Sequence, residues 1–225
     1  MNNAELLETG TYHSALQAKR KRKYSAYLFA KRFLDIAGSA IGLLLLSPLL
    51  LFVALLIKLE DPKGPVLFKQ LRIGRKGRPF HIYKFRSMVT DAEKRLAELK
   101  HLNETTGAMF KIKNDPRVTR VGRILRKTSL DELPQLFNVL GGTMSLVGPR
   151  PPLPSEVEQY TQHQKQRLLV TPGCTGVWQV SGRSNVGFEE MVDMDIRYIN
   201  ERNLWFDLKI IVKTFGVFFG SKDAY

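Results

Sequence analysis

The chain has 225 residues, 44% of them hydrophobic, which is enough for one domain with a sizeable core plus an anchoring segment. Its 35 basic and 21 acidic side chains leave a formal charge of +14, which calls for an anionic partner: nucleic acid, anionic lipid or phosphorylated substrates. Cys174 is the only cysteine, which excludes an intramolecular disulfide and a cysteine-built metal cage and fits a reducing, cytosol-facing domain.

Residues 1–30 read as a polar tail that ends in the basic run Lys19-Arg20-Lys21-Arg22-Lys23, a patch suited to lipid headgroups. Residues 31–60 form the anchoring segment. Within it, residues 36–57 carry no charge over about 22 positions, enough for a helix to cross a hydrocarbon core of roughly 30 Å. Two features argue against a plain crossing. Ser47-Pro48 sits near the middle, and the proline removes a backbone donor and crowds the carbonyl four residues back. A bend is expected there, with the Ser47 hydroxyl available to the freed carbonyl. Both flanks are also basic, and a straight span would have to export one of them. A re-entrant helix with arms of about 15–18 Å removes the conflict.

Residues 61–225 read as one cytosolic domain. Short strands are expected at 66–70 and 80–85 around a Gly/Arg-rich turn, with Ile82, Lys84 and Arg86 on one face and Tyr83 and Phe85 on the other. Helices are expected at 91–102, 117–127, 130–140, 156–169, 188–201 and 204–219, with loop or strand at 107–114 and a strand at 176–181. The basic helix at 117–127 could lie on a membrane surface. The aromatic-rich helix at 204–219 is expected to dock in the core. The fold class is α+β and mostly helical, with a small β element.

The most informative polar stretch is Ser129-Leu130-Asp131-Glu132-Leu133-Pro134-Gln135. Ser129 with Glu132 three residues on has the form of a helix capping box. Pro134 fits better when the helix starts at Leu130 or Asp131, because a proline is tolerated in a first turn. Asp131 then lies at a positive helix end that favours its ionised form, and such a carboxylate could bind metal or attack phosphorus. Structural and catalytic readings both stand at this point. In Pro149-Arg150-Pro151 the two prolines stiffen the backbone around a cation suited to bidentate phosphate binding, with a structural ion pair as the alternative. Lys84, Arg86 and Arg183 are weaker cationic candidates. Asp193 and Asp195 read as ordinary helix-surface acids, and the four histidines show no metal-ligand spacing. No phosphate-binding loop, dinucleotide fingerprint or serine elbow occurs.

Taken in order, the Ser47-Pro48 break, Tyr83-Lys84-Phe85-Arg86-Ser87-Met88, Ser129 to Gln135, Met144-Ser145-Leu146-Val147-Gly148-Pro149-Arg150-Pro151 and Gly176-Val177-Trp178-Gln179-Val180-Ser181-Gly182-Arg183 carry a resemblance. From about residue 31 onward the chain resembles the bacterial sugar transferases, the monotopic polyprenol-phosphate phosphoglycosyl transferases. The resemblance implies attack by Asp131 on the β-phosphorus of a UDP-sugar, expulsion of UMP, and transfer of the phosphosugar to undecaprenyl phosphate. It implies Glu132 as the assisting carboxylate and Mg²⁺ bridging Asp131 and the diphosphate. It makes Arg150 the first phosphate contact, with Lys84, Arg86, Arg126 and Arg183 behind it, and Asp195 an acidic helper. It places the protein on the cytoplasmic face of a bacterial inner membrane, against an anionic bilayer and with scope for self-association. Cys174 stands where a larger aliphatic residue is expected. Two other classes compete with this reading. A membrane-anchored nucleic-acid binder lacks a recognition motif. A non-catalytic scaffold of a polysaccharide assembly complex sits poorly with intact Asp131, Glu132 and Arg150.

Overall fold

The structure, a computed structural model, describes residues 3–99, 112, 115–181 and 186–220, with side chains from residue 24 onward except 96–97 and 217–220. It is mostly helical with two small sheets. Helix α1 runs through Asn3–Glu60, so it begins well before the expected membrane boundary at Lys31. Pro48 lies inside it, and the Ser47 hydroxyl donates to the Leu44 carbonyl at 2.8 Å. Leu44 is the residue whose carbonyl the proline cannot serve, so the expected local compensation is present. Within α1, Tyr24–Glu60 is long and apolar enough to cross a membrane.

One stripe of α1 faces the rest of the chain. Lys31, Asp35 and Ser39 are buried near one end, Val53 and Ile57 near the other. The first arm is held by polar contacts. Lys31 donates to the Val147 carbonyl at 3.0 Å and pairs with Asp207 at 3.1 Å, while Asp35 accepts from Ser145 Oγ and the Leu146 amide, both at 2.9 Å. Gly38 permits this approach, since a β-carbon there would stand 2.8 Å from Leu146 Cδ1. The second arm is held by apolar packing on Phe85 and Leu125. Between them, residues 40–52 include no buried side chain, and Leu44, Leu45 and Leu51 are more than 70% exposed.

After α1, β1 (Leu67–Ile73) and β2 (Pro79–Phe85) form an antiparallel hairpin in which Phe68, Gln70 and Arg72 stand opposite Lys84, Ile82 and Phe80. Those six side chains share one face, the period-2 consequence of the pleat. Ile82 and Phe85 are buried on opposite faces, so the hairpin is covered on both sides. Helix α2 (Ala92–Leu99) and α3 (Arg120–Lys127) follow, the latter capped by Thr119 Oγ1 accepting from the Gly122 amide at 2.9 Å. The expectation for residues 107–111 and 113–114 falls outside the described residues.

The expected helix at 130–140 is split. A 3₁₀ turn at Leu130–Glu132 precedes α4 (Gln135–Leu140), with Pro134 at its N-terminal boundary, where the missing N–H costs nothing. Asn138 of α4 completes the edge of β2: its Nδ2 donates to the His81 carbonyl at 2.7 Å and its Oδ1 accepts from the Tyr83 amide at 3.0 Å. Strand β3 (Ser145–Val147) pairs in parallel with β4 (Gly173–Thr175). The helix expected at 156–169 is instead α5 (Pro154–Glu158) and a 3₁₀ segment at Gln164–Leu169. The strand expected at 176–181 is a 3₁₀ turn, with the real strand just before it, because the Gly148–Gly173 backbone contact sets the pairing. Helices α6 (Phe188–Glu201) and α7 (Leu204–Gly220) match expectation in extent. The expected core docking of α7 holds for one face. Asp207 and Ile210 are buried, whereas Trp205, Val212 and Phe215 are at least 60% exposed.

Asn138 ties the Asp131 segment to the Lys84 strand through two backbone groups that have no other partner in reach. Asn138→Leu is expected to destabilise the folded state by about 2–4 kcal/mol, from two unmet backbone groups at 1–3 kcal/mol each. Chemical denaturation of the detergent-solubilised protein measures this, and a loss below about 0.5 kcal/mol would refute the bridging role.

Candidate active site

The chain reverses direction between α3 and the Leu130 turn at Ser129, which adopts φ 54°, ψ 18°. A left-handed serine is uncommon, and such strain is retained where the surroundings dictate it. The expected Ser129 cap is not made, because this conformation turns the residue away from the geometry a capping box needs. The reversal tucks Asp131 inward, 8% exposed, and leaves Glu132 outward. Glu132 accepts from Lys84 Nζ at 2.6 Å, so the hairpin cation meets the carboxylate pair.

Asp131 has no ion-pair partner within 4 Å among the described residues. Burial pushes its pKa up to about 6; Lys84 and Arg126 pull the other way, and Glu132 adds to the rise. The expected helix-end stabilisation does not prevail, since three residues of 3₁₀ turn offer little dipole and desolvation outweighs it. At neutral pH the carboxylate is nevertheless ionised. It is a buried, poorly solvated anion near two cations, with no ion-pair partner among the described residues.

The Arg150 Nη1 lies 3.4 Å from both oxygens of the buried Glu156. Its loop is fixed by four consecutive carbonyls. Pro149 accepts from the Gly173 amide at 2.9 Å, Arg150 from Arg167 Nη2 at 3.3 Å, Pro151 from Arg72 Nη1 at 3.0 Å and Pro152 from the Ile73 amide at 2.9 Å. The prolines supply stiffness and these four bonds supply position. Arg72 is itself a site residue that the sequence reading passed over. It is 6% exposed, its fork holds Gln70 Oε1 at 2.6 and 3.2 Å, and burial with the Arg150 charge lowers its pKa to about 10. The inward Phe68, Gln70, Arg72 alternation of β1 was the available signal.

Of the other expected residues, Arg126 is exposed and close enough to act on Asp131. Arg86 is committed elsewhere, to the Asp61 carboxylate and, at 3.2 Å, to its carbonyl, which closes the turn after α1. Arg183 lies outside the described residues. Asp195 is no surface acid. It is 1% exposed and pairs with Arg167 Nε at 2.8 Å, while Arg167 also donates to Tyr160 Oη at 2.6 Å. It therefore reaches Arg150 through the Arg167 bond to the loop. Cys174 packs against the Ile82, Val139 and Met144 cluster, and burial raises its thiol pKa, so it acts as a packing residue. No group of three or more His, Cys, Asp or Glu side chains suited to a metal occurs among the described residues.

Asp131 and Asp195 are both pushed up to about 6 by burial, yet their replacement should have opposite effects. A carboxylate with a raised folded-state pKa loses stability as pH rises from about 4 to 6. Asp131→Asn removes that loss and should stabilise the protein by about 1–3 kcal/mol at pH 7.5. Asp195→Asn strands the buried Arg167 and should cost about 3–5 kcal/mol. Unfolding of both variants from pH 4.5 to 8 tests the contrast.

Residues 26–221 match the family described as bacterial sugar transferase. The galactosyl transferase CpsE of Streptococcus agalactiae is 52% identical over 196 residues, covering 87% of this chain and 43% of its own length. The undecaprenyl-phosphate galactose phosphotransferase of Salmonella typhimurium is 46% identical over 201 residues, 88% of this chain and 42% of its own. The exopolysaccharide production protein ExoY of Rhizobium meliloti is 42% identical over 200 residues, 87% of this chain and 88% of its own. The chain thus spans under half the length of the first two relatives and most of the third. With the family match running through α1, the carboxylate turn and the Arg150 loop, this chain belongs to the bacterial sugar transferase family.

Proposed function

We propose that the chain transfers a sugar 1-phosphate from a UDP-sugar to undecaprenyl phosphate, releasing UMP, with the phosphosugar carried transiently on Asp131. The observation that carries this reading is the buried, unpaired Asp131 carboxylate beside the Lys84–Glu132 pair. A relative in Escherichia coli, 44% identical over 203 residues, is named for the same transfer with UDP-glucose.

An Asp131 oxygen attacks the β-phosphorus. The bond from that phosphorus to the bridging oxygen breaks, and UMP leaves with the electron pair. An oxygen of undecaprenyl phosphate then attacks the same phosphorus, the carboxylate departs, and polyprenyl diphosphosugar results. Lys84 and Arg126 hold the approach of anion to anion together, and Arg150, fixed by its loop carbonyls, receives the diphosphate. Lys84 also holds Glu132, keeping the second carboxylate beside the first.

Two adjacent carboxylates without a third ligand suit Mg²⁺, which keeps waters and takes phosphate oxygens rather than a full protein cage. Asp131 with Glu132 would hold it, and the ion would neutralise diphosphate charge.

We also read α1 as re-entrant, with the domain on the cytoplasmic face of the inner membrane. Its two arms dock on one polar body, through Lys31 and Asp35 at one end and Val53 and Ile57 at the other. A helix crossing the bilayer would put those ends on opposite sides. The unburied residues 40–52 form the inserted part. In spheroplasts, single cysteines placed at residues 22 and 63 of a Cys174→Ala chain should both resist an impermeant maleimide. Labelling of one of them would establish a span instead.

The enzymatic test is UMP release from UDP-galactose, UDP-glucose and UDP-N-acetylgalactosamine, with Mg²⁺, with and without undecaprenyl phosphate. Lipid-dependent turnover with one donor is expected, and Asp131→Asn should reduce it at least 10³-fold. The rate should fall below about pH 6 as Asp131 takes up a proton, losing about tenfold per unit. Turnover that survives in Asp131→Asn would overturn the nucleophile assignment.

A further inference from the structure

A second concentration of cations lies at the far end of the 130–142 segment, away from the carboxylate turn. A cavity of about 180 Å³ opens there between α1, the hairpin turn and the α6–α7 junction, lined among others by Leu28, Arg32, Arg75 and Arg202. Of its other charges, Lys31 is paired, and the Asp35 carboxylate, which Lys31 and Arg32 both stabilise, offsets part of the cationic charge. Lys31 pairs with Asp207 at 3.1 Å, and Asp35 takes Ser145 Oγ and the Leu146 amide. Arg32, Arg75 and Arg202 have no carboxylate partner among the described residues. In a chain of charge +14 a lone arginine without a carboxylate partner means little, but three from separate elements on one cavity outnumber its Asp35 carboxylate and leave a net positive local field.

Two of the three are fixed in place. Arg32 donates Nη1 to the Val139 carbonyl at 2.6 Å and Nη2 to Leu140 at 2.8 Å, with its remaining N–H bonds free. Gly142, at φ 82°, leaves the room this needs, since a β-carbon there would stand 3.3 Å from Arg32 Nη2. Arg202 lies over the rings of Tyr24 and Tyr27 at 5.4 and 6.0 Å and donates to Tyr24 Oη, yet its Nε is buried with no partner. Planar guanidinium groups held in this way suit the oxygens of a phosphate ester, and the volume admits a phosphate with a few further atoms.

The surroundings indicate where that phosphate comes from. Phe29 and Phe33, on the same stretch of α1, are 79% and 65% exposed. Just beyond Arg202, Trp205 is 66% exposed with Lys209 Nζ 5.5 Å above its ring. Exposed aromatic rings mixed with cations mark the level of lipid headgroups.

We propose that this cavity binds the phosphate headgroup of an anionic membrane lipid, at a site separate from Asp131. The inference rests on reading α1 as a membrane helix, and its test uses no activity measurement. The detergent-solubilised full chain is titrated with short-chain phosphatidylglycerol, phosphatidylcholine or inorganic phosphate, and bound lipid is counted by native mass spectrometry. Phosphatidylglycerol should bind at least tenfold tighter than phosphatidylcholine, and millimolar phosphate should not displace it. Arg75→Ser with Arg202→Ser should weaken binding at least tenfold. The charge-matched control, Arg78→Ser with Lys165→Ser on exposed positions outside the cavity, should change it less than twofold. Equal losses in the two double variants would reduce the effect to diffuse charge and overturn the site. Displacement by inorganic phosphate would overturn the lipid as its source, and equal binding of phosphatidylcholine would overturn anion selectivity. Site-specific binding in a chain that releases no UMP would leave this inference standing while the transferase reading fell. The reverse pattern would separate them the other way.

Discussion

Asp131 carries a negative charge into a place that water hardly reaches, and much of the domain is arranged around that constraint. Desolvation raises the energy of the anion, while cations that might neutralise it outright are held a step away. Lys84 is taken up by Glu132 at 2.6 Å, and Arg126 acts from the exposed side of α3. A closer cation would stabilise the carboxylate and, in the proposed mechanism, weaken it as a nucleophile. A more distant one would raise its pKa further.

Holding that balance demands rigid distances between segments far apart in sequence. Three devices provide them. Asn138 completes the edge of β2, so the carboxylate turn and the lysine strand move as one. The Arg150 loop has four consecutive carbonyls captured by three elements, two of them by neighbouring residues of β1. Arg167, neutralised by Asp195, is one of the captors, which links helix α6 to the site without touching its contents. Buried polar networks of this kind are sensitive to partial loss, because every unpaired remnant is stranded in low dielectric.

Local patterns in the sequence reveal what local physics decides. The apolar run, the Ser47–Leu44 compensation, both hairpin strands and the extents of α6 and α7 follow from hydropathy, period and proline chemistry. Asp131, Glu132, Lys84 and Arg150 could be singled out because each sits in an unusual local setting. Arg86 and Asp195 read differently in the fold because their partners, Asp61 and Arg167, lie 25 and 28 residues away. The same distance hides Arg72 and Asn138, whose roles depend on a loop and a strand edge brought in by tertiary packing. Helix α7 misleads for a related reason. Its apolar face is real, but burial is decided by what remains to cover it, and Trp205, Val212 and Phe215 stay bare.

The docking of α1 at both ends has a geometric consequence. Between the last buried residue of one arm, Ser39, and the first of the other, Val53, the helical path is roughly 21 Å at 1.5 Å per residue. On the re-entrant topology proposed above, this stretch would dip only about 10 Å below its anchor points, short of the midplane of a hydrocarbon layer roughly 30 Å thick. Such a wedge would displace acyl chains in one leaflet and none in the other. Each copy would therefore enlarge the inner monolayer alone, and the energy of inserting it would depend on curvature and lateral tension.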